Sequence, residues 1–219
     1  MKLGIALPHT HSHYHRLFVQ SFFCIIRPEN AVLLIPNSDG PLDGVRNELC
    51  QQALIHGCDH IWWCDTDQVY PPDVLVKLID RNLPIVCAKV HRRKPPYDPL
   101  LKRLNKNRKK DDPFYIDIKY DEWALRNKPD ELIEVDATGF GCNLMAIEVI
   151  EKMSKPWFKF NLYPKDRNEP IGEDFYFWNK AKNLGYKIFV DCSINIGHIA
   201  DAVVDGRTYK SYRNHMSMG

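Results

Sequence analysis

Several patterns typical of nucleotide-binding and metal-binding proteins are missing from this sequence of 219 residues. No Gly-x-x-x-x-Gly-Lys motif occurs, which excludes a phosphate-binding P-loop. The one Gly-x-Gly, at residues 139–141, has Leu144 where a dinucleotide-binding loop needs its third glycine. The seven cysteines include no Cys-x-x-Cys pair. We therefore expect free thiols and neither a disulfide framework nor a structural zinc site.

Long apolar runs, linkers and glycosylation signals are also absent. The longest apolar stretch, residues 17–26, is interrupted by Gln20 and Ser21 and is too short to cross a bilayer. The sequence has no Asn-x-Ser/Thr sequon, and a His-rich turn begins before a signal-peptide core could form. We expect no transmembrane segment and a cytoplasmic location. Because no Gly/Ser-rich linker divides the chain, residues 1–219 are expected to form a single domain.

Acidic residues are scarce in one segment. Between Lys89 and Lys110 there are ten Lys and Arg residues and one acid, so this segment carries +9 although the whole chain carries +2. From about residue 89 to 128 the sequence has little periodicity, and we expect a basic loop. Two interpretations stay open, namely a solvated surface or a binding surface for a polyanion such as DNA.

Buried strands and one-sided helices alternate through the first ninety residues. This order is typical of an α/β sandwich with a mainly parallel central sheet. Further along the chain, the pattern predicts a strand at 132–137, a helix at 145–153 and another helix that begins at Gly172.

Asp65 and Asp67 directly follow an apolar strand, residues 61–64. In an open α/β sheet, ligands bind outside the carboxyl ends of the strands, so these side chains occupy a site position. Two carboxylates two residues apart can bind one hard divalent cation. For this motif alone, a helix cap and a solvated Asp remain an alternative.

Four alternating histidines, from His9 to His15, follow the first strand. No Cys or acid accompanies them, which favours substrate contact or solvation over a dedicated metal site. Trp62 and Trp63 lie in the central strand and are expected in the core. Trp157 lies in a loop and is the better candidate for an acceptor contact.

Four elements in this order resemble one known family: Arg46-Asn47 on the second helix, Asp65-Thr66-Asp67 after a strand, Gly172-Glu173-Asp174 opening a late helix, and Gly197-His198. The chain looks like a GT-A fold nucleotide-sugar glycosyltransferase, similar to glycosyltransferase family 2 and its small phage and microbial members. The resemblance covers about residues 3–200. It implies a single-domain GT-A (Rossmann-like) sandwich and metal-dependent transfer of a sugar from a nucleoside-diphosphate sugar.

The resemblance also implies roles for individual residues. Mn²⁺ or Mg²⁺ would be bound by Asp65, Asp67 and His198, and an imidazole ligand favours Mn²⁺. Glu173 and Asp174 match the acidic pair that acts as base in inverting relatives, although acids in a first helical turn also have a structural explanation. The acceptor candidates are Trp157, Arg93 and Lys94. The donor, in the first instance a UDP-sugar, would contact Pro8, His9, Asp39, Arg46, Asp65, Thr66 and Arg92.

Other functions stay open at this stage. A metal-dependent nucleotidyltransferase or a nucleotide-sugar hydrolase would use the same carboxylates, and a non-catalytic nucleic-acid-binding module would use the basic segment. For the transferase, a polyanion such as hydroxymethylated phage DNA is a candidate acceptor. The sequence leaves the sugar and the stereochemical course open, because inverting and retaining enzymes share this fold and metal motif.

Overall fold

The computed structural model describes residues 1–11, 13–37, 39–94, 97–109, 112–118, 131–160 and 171–200. The strands in these ranges, numbered in chain order, are β1 Leu3–Ala6, β2 Ala31–Leu34, β3 His60–Cys64, β4 Gln68–Val69, β5 Ile85–Lys89, β6 Leu101–Leu104, β7 Tyr115–Asp117, β8 Leu132–Val135, β9 Ala137–Thr138, β10 Cys142–Ala146, β11 Ile188–Asn195 and β12 Gly197–His198. Seven of them form the central sheet in the order β2-β1-β3-β10-β5-β11-β8.

The central sheet is mainly parallel, as the sequence predicts. Strands β1, β2, β3, β5 and β11 all point in one direction, whereas β8 and β10 run against their neighbours. The predicted helix at 145–153 is wrong at its start, because β10 continues to Ala146 in the middle of the sheet. This strand is buried over most of its length, and a short buried run has no periodicity that distinguishes strand from helix.

The helices cover the sheet and bury two clusters of apolar side chains. Trp62 belongs to one cluster and Trp63 to the other, because successive side chains of a strand point to opposite faces. Both indoles are fully buried, which confirms their predicted place in the core. Along the described ranges, no helix is both long enough and apolar enough to span a membrane. The helices are α1 Arg16–Phe23, α2 Leu42–Ile55, α3 Val74–Asp80, α4 Ile147–Glu151 and α5 Glu173–Asn183.

The segment predicted to be a basic loop contains two strands. β6 pairs with β7 and with β9, giving a three-stranded antiparallel sheet. Residues 110–111 and 119–130 of this segment lie outside the described ranges. We call residues 101–109 and 112–117 the basic hairpin.

Strands β4 and β12 bring distant parts of the chain together. Gly197 pairs with Val69 and His198 with Gln68 in a short antiparallel ladder. The ladder continues in a hydrogen bond from the N–H of Ile199 to the carbonyl of Asp67, at 2.8 Å. Because β4 comes three residues after β3, the ladder places His198 at the carboxyl end of the central strand.

Candidate active site

Asp65, Thr66 and Asp67 form the connection between β3 and β4. The N–H of Asp65 donates to the carbonyl of Gly141 at 2.9 Å. The hydroxyl of Tyr70, a buried residue, lies 2.8 Å from the carbonyl oxygen of Asp65 and 2.9 Å from that of Gly141. The backbone of this connection, which we call the carboxylate turn, is therefore fixed from the protein interior.

Glycine is favoured at position 141 by the close approach of two side chains. A Cβ atom there would collide with the amide group of Gln68 and would lie 3.1 Å from Oδ2 of Asp65. Neither Gly141 nor Tyr70 can be recognised from the sequence as part of this site, because no pattern connects residues 139–141 or Tyr70 to Asp65.

Asp67 faces two cationic groups. Its Oδ2 lies 3.4 Å from Nε2 of His198 and 3.2 Å from Nη1 of Arg93. Burial alone would raise the pKa of Asp67, but the hydrogen bond and charge of His198, together with the charge of Arg93, lower it. Asp67 is therefore a carboxylate throughout the neutral pH range.

His198 is oriented in the way that suits a metal ligand. Its Nδ1–H donates to the carbonyl of His91 at 2.6 Å, which leaves Nε2 facing Asp67. Burial lowers the pKa of His198, but the hydrogen bonds to Asp67 and His91 outweigh this effect and raise it, so without a metal Nε2–H donates to Asp67. After loss of that proton, the lone pair of Nε2 would be available to a metal ion. Adjacent ligands of an octahedral Mn²⁺ or Mg²⁺ ion are about 3 Å apart, which is close to the 3.4 Å between these two groups. The donor set fits a divalent cation. Within the described ranges, however, no three His, Cys, Asp or Glu side chains already converge as a preformed metal site.

Arg46 of α2 joins the carboxylate turn to the start of α5. Its Nη2 donates to Oδ1 and Oδ2 of Asp65 at 3.0 Å and 3.3 Å, and its Nε lies 3.4 Å from Oε1 of Glu173. Arg46 is only 2% exposed. The prediction that it contacts the nucleotide is not met in this structure, because protein encloses the guanidinium. The enclosing rings, at 4.8 to 5.8 Å, are those of Phe140, Trp63 and Phe158.

The two acids at the start of α5 have different environments. Glu173 is buried and forms the ion pair with Arg46. The neighbouring Asp174 is half-buried and accepts a hydrogen bond from the N–H of Phe175 at 2.7 Å. Burial, and then the charge of Glu173, raise the pKa of Asp174 to about 7. A carboxyl group with this pKa can accept and release a proton at neutral pH, so Asp174 has the properties of a general base.

An open cleft of about 610 Å³ lies over the carboxylate turn. The predicted site residues that line it are Pro8, His9, Asp65, Thr66, Asp67, Arg93 and Lys94. His198 lines a neighbouring cavity of about 310 Å³ that shares three residues with the cleft. The structure thus brings the first-strand loop, the carboxylate turn and the segment after β5 together around one space.

His9 lines this cleft beside the carboxylate turn. Its Nδ1 lies 2.9 Å from Oγ1 of Thr66, and its ring stacks on Tyr14 with 4.0 Å between centroids. Burial, and then the neighbouring His11, lower the pKa of His9, so its ring is neutral at pH 7. The charge of Asp39 raises the pKa of His9 and so acts in the opposite direction, but Asp39 is not among the residues that line the cleft.

Two other predicted contacts lie away from the cleft. Arg92 pairs with Asp117 of the basic hairpin at 2.9 Å. Trp157 is buried, and its Nε1–H donates to the carbonyl of Ile150 at 2.9 Å. The structure therefore does not place Trp157 at the cleft, where it was predicted to contact an acceptor. Its backbone N–H donates to the side chain of Asn47, which holds this loop against α2 and turns the indole into the core.

Comparisons with known proteins identify the class of fold. No family model and no curated protein matches the sequence. Among solved structures, A197 from STIV aligns over 92% of this chain and 87% of its own, with a TM-score of 0.57 and 19% identity. GalNAc-T7, determined with UDP, GalNAc and Mn²⁺, aligns over 96% of this chain with a TM-score of 0.59 and 12% identity.

These similarities confirm the predicted fold. The chain has the GT-A glycosyltransferase fold, with the α/β sandwich and mainly parallel sheet that the sequence predicts. It spans about half the length of GalNAc-T7, 47% of that chain. Since identities below a quarter establish only the fold, any conclusion about activity depends on the chemistry of the cleft.

Proposed function

We propose that the protein is a metal-dependent glycosyltransferase that moves a sugar from a UDP-sugar to an acceptor hydroxyl. The observation that carries this proposal is that Asp65 and Asp67 line one cleft of a GT-A fold, with Nε2 of His198 3.4 Å from Oδ2 of Asp67. UDP and Mn²⁺ are the first ligands to test, because GalNAc-T7 was determined with both.

The carboxylate turn and β12 would hold the cation. Asp67 and His198 are its candidate ligands, and Asp65 would bind either the ion or the ribose. A bound divalent cation supplies positive charge to the diphosphate leaving group without any proton transfer. Pro8 and His9, which also line the cleft, would contact the nucleotide base.

Asp174 is the candidate base. When the acceptor oxygen attacks the anomeric carbon, the bond from that carbon to the diphosphate breaks and the acceptor hydroxyl loses its proton. The carboxylate of Asp174 would accept this proton, a contribution of about 10²- to 10⁴-fold in rate. Glu173 would act only through its ion pair with Arg46.

The basic hairpin supports a polyanionic acceptor. The ring of Tyr115 contacts that of Phe175, 4.9 Å between centroids, so the hairpin lies against the first turn of α5 beside Asp174. Asp117 neutralises part of the charge near this contact, since Lys102 and Arg92 both pair with it. The exposed cations of the hairpin that remain for an acceptor include Arg103, Lys106 and Lys109.

Thermal unfolding with UDP and UDP-sugars, with and without Mn²⁺, tests the donor site. We expect stabilisation that requires both nucleotide and metal, about 2.7 kcal/mol when the ligand is at a hundred times its Kd. Asp67→Ala should remove this effect. Asp73→Ala is the control, because Asp73 pairs with Lys77 in an exposed contact at the start of α3. Stabilisation by none of the nucleotides would refute the proposal.

Two further measurements separate the alternatives. Release of UDP indicates transfer or hydrolysis of the sugar, whereas release of pyrophosphate would indicate a nucleotidyltransferase. Binding of duplex DNA over a range of salt concentrations tests the acceptor class. A polyanion site predicts affinity that falls steeply with salt, and replacement of Arg103, Lys106 and Lys109 by Ala should flatten this dependence. Absence of DNA binding at low salt would exclude a nucleic-acid acceptor.

A further inference from the structure

We propose that Arg46 is a positioning residue that couples the donor site to the acid-base site. One buried guanidinium binds Asp65 of the carboxylate turn through Nη2 and lies against Glu173 of α5 through Nε. The inference rests on the proposed sugar transfer. In this proposal Arg46 does not touch the substrate and affects the reaction only by orienting Asp65 and Glu173.

The contacts use two different edges of the guanidinium. Nη2 lies within 3.3 Å of both oxygens of Asp65, while Nε faces Oε1 of Glu173 at 3.4 Å. The contact with Asp65 is hydrogen-bonded, whereas the contact with Glu173 is a close pairing of charges, because Nε and Nη1 of Arg46 have no hydrogen-bond partner among the described residues. The single ammonium nitrogen of a lysine could not lie beside both carboxylates at once, so a bridge between them favours arginine.

The surroundings of Arg46 make this bridge rigid. The guanidinium is stacked among three aromatic rings, of which Phe140 is nearest at 4.8 Å. A charge that is 2% exposed must be compensated, and Asp65 and Glu173 provide the compensation. Burial acts to lower the pKa of Arg46, but these two carboxylates raise it, so the side chain stays charged.

The bridge sets the position of both reacting parts. Glu173 is the first residue of α5, and holding it fixes the first turn and therefore Asp174, the next residue. On the other side, the bond from Nη2 fixes the direction in which Asp65 presents its remaining lone pairs. Displacing a catalytic group by about 1 Å can lower the rate a hundredfold. Weakening the contacts of Arg46 should therefore lower kcat.

The test uses a variant set that separates folding from positioning. Arg46→Met should lower Tm, because it leaves two carboxylates without their partner. Adding Glu173→Gln to Arg46→Met removes one of these carboxylates and should restore part of the lost Tm. If the bridge positions the site, this double variant folds and binds UDP with Mn²⁺, yet its kcat stays about ten- to a hundredfold below wild type.

Two further variants complete the comparison. Arg46→Lys keeps the charge but not the guanidinium, so its kcat should lie between that of wild type and Arg46→Met. Arg81→Met is the matched control, because Arg81 also forms an ion pair with a buried acid, Asp191, at 2.7 Å and away from the cleft. It should lower Tm and leave kcat unchanged.

The outcomes distinguish this proposal from the proposed function. Wild-type kcat in the Arg46→Met, Glu173→Gln double variant would overturn the positioning role while leaving sugar transfer intact. If the wild-type protein neither transfers nor hydrolyses any UDP-sugar, the proposed function fails and the catalytic positioning role fails with it. Strictly additive Tm losses for the two substitutions would show that Arg46 and Glu173 are not coupled, whatever the activity.

Discussion

Replacement of Asp174 by Asn should make the protein more stable at alkaline pH and remove most of the proposed transferase activity. The pKa of Asp174 is about 7 in the folded protein, compared with 3.8 for the ordinary side chain, because of burial and the nearby charge of Glu173. Below pH 3.8 the carboxyl group is protonated in both states, so the wild type and the variant should be equally stable. As the pH rises toward 7, only the unfolded chain gives up the proton freely, and the wild type loses stability.

The size of this loss of stability follows from the shift in the pKa of Asp174. About three pKa units correspond to about 4 kcal/mol, and the solvent that reaches a half-buried side chain reduces the expected value to about 2 kcal/mol. Urea unfolding at pH 4, 6 and 8 measures it as the difference between variant and wild type. This difference should be near zero at pH 4 and greatest at pH 8.

Asp117→Asn is the matched control, and its effect on stability should depend on pH in the opposite direction. Burial would raise the pKa of Asp117, but Lys102 and Arg92 lower it, so this carboxylate stabilises the fold above its ordinary pKa and loses that effect in acid. A pH-independent difference between Asp174→Asn and wild type would refute the reasoning. In activity, kcat of the wild type should rise with pH through about 7, whereas the variant should lose about 10²- to 10⁴-fold.

Two other substitutions test the carboxylate turn. Gly141→Ala should lower Tm and abolish Mn²⁺-dependent binding of UDP, measured by thermal shift, because its Cβ has no room. Gly44→Ala, in α2 with open space around its Cβ, should be neutral or stabilising by up to about 1 kcal/mol. Arg93→Ala removes a cation 3.2 Å from Asp67, so calorimetry should show severalfold tighter binding of Mn²⁺ in the absence of nucleotide. Unchanged or weaker binding would show that Arg93 does not compete with the metal.

The position of the carboxylate turn was predictable from the sequence. An apolar run followed by two acids places them at the carboxyl end of a buried strand, and α/β folds bind ligands there. The approach of His198 was predictable only from the resemblance. Its cause is the pairing of β4 with β12, and strands of two residues have too little pattern to be recognised.

The surroundings of two other predicted site residues, Arg46 and Trp157, were harder to predict from the sequence. The sequence contains a signal for Arg46, because it shares the buried face of α2 with Leu49 and Cys50, and a charge on such a face requires a buried partner. The resemblance implied a nucleotide contact for Arg46 instead of a buried partner. For Trp157 there is no such signal, since its burial depends on hydrogen bonds to Asn47, a residue 110 positions earlier.

The ladder of β4 and β12 has a consequence for the local stability of the site. It joins Asp67 to His198 across 131 sequence positions through two residues on each side. The few hydrogen bonds of this ladder offset little of the entropic cost of closing so long a loop. We therefore expect the ladder to open locally before the central sheet unfolds. A ligand bound by both Asp67 and His198 would stabilise the paired form of this ladder. Ligand binding should therefore slow hydrogen exchange of the Ile199 amide, which donates to the carbonyl of Asp67.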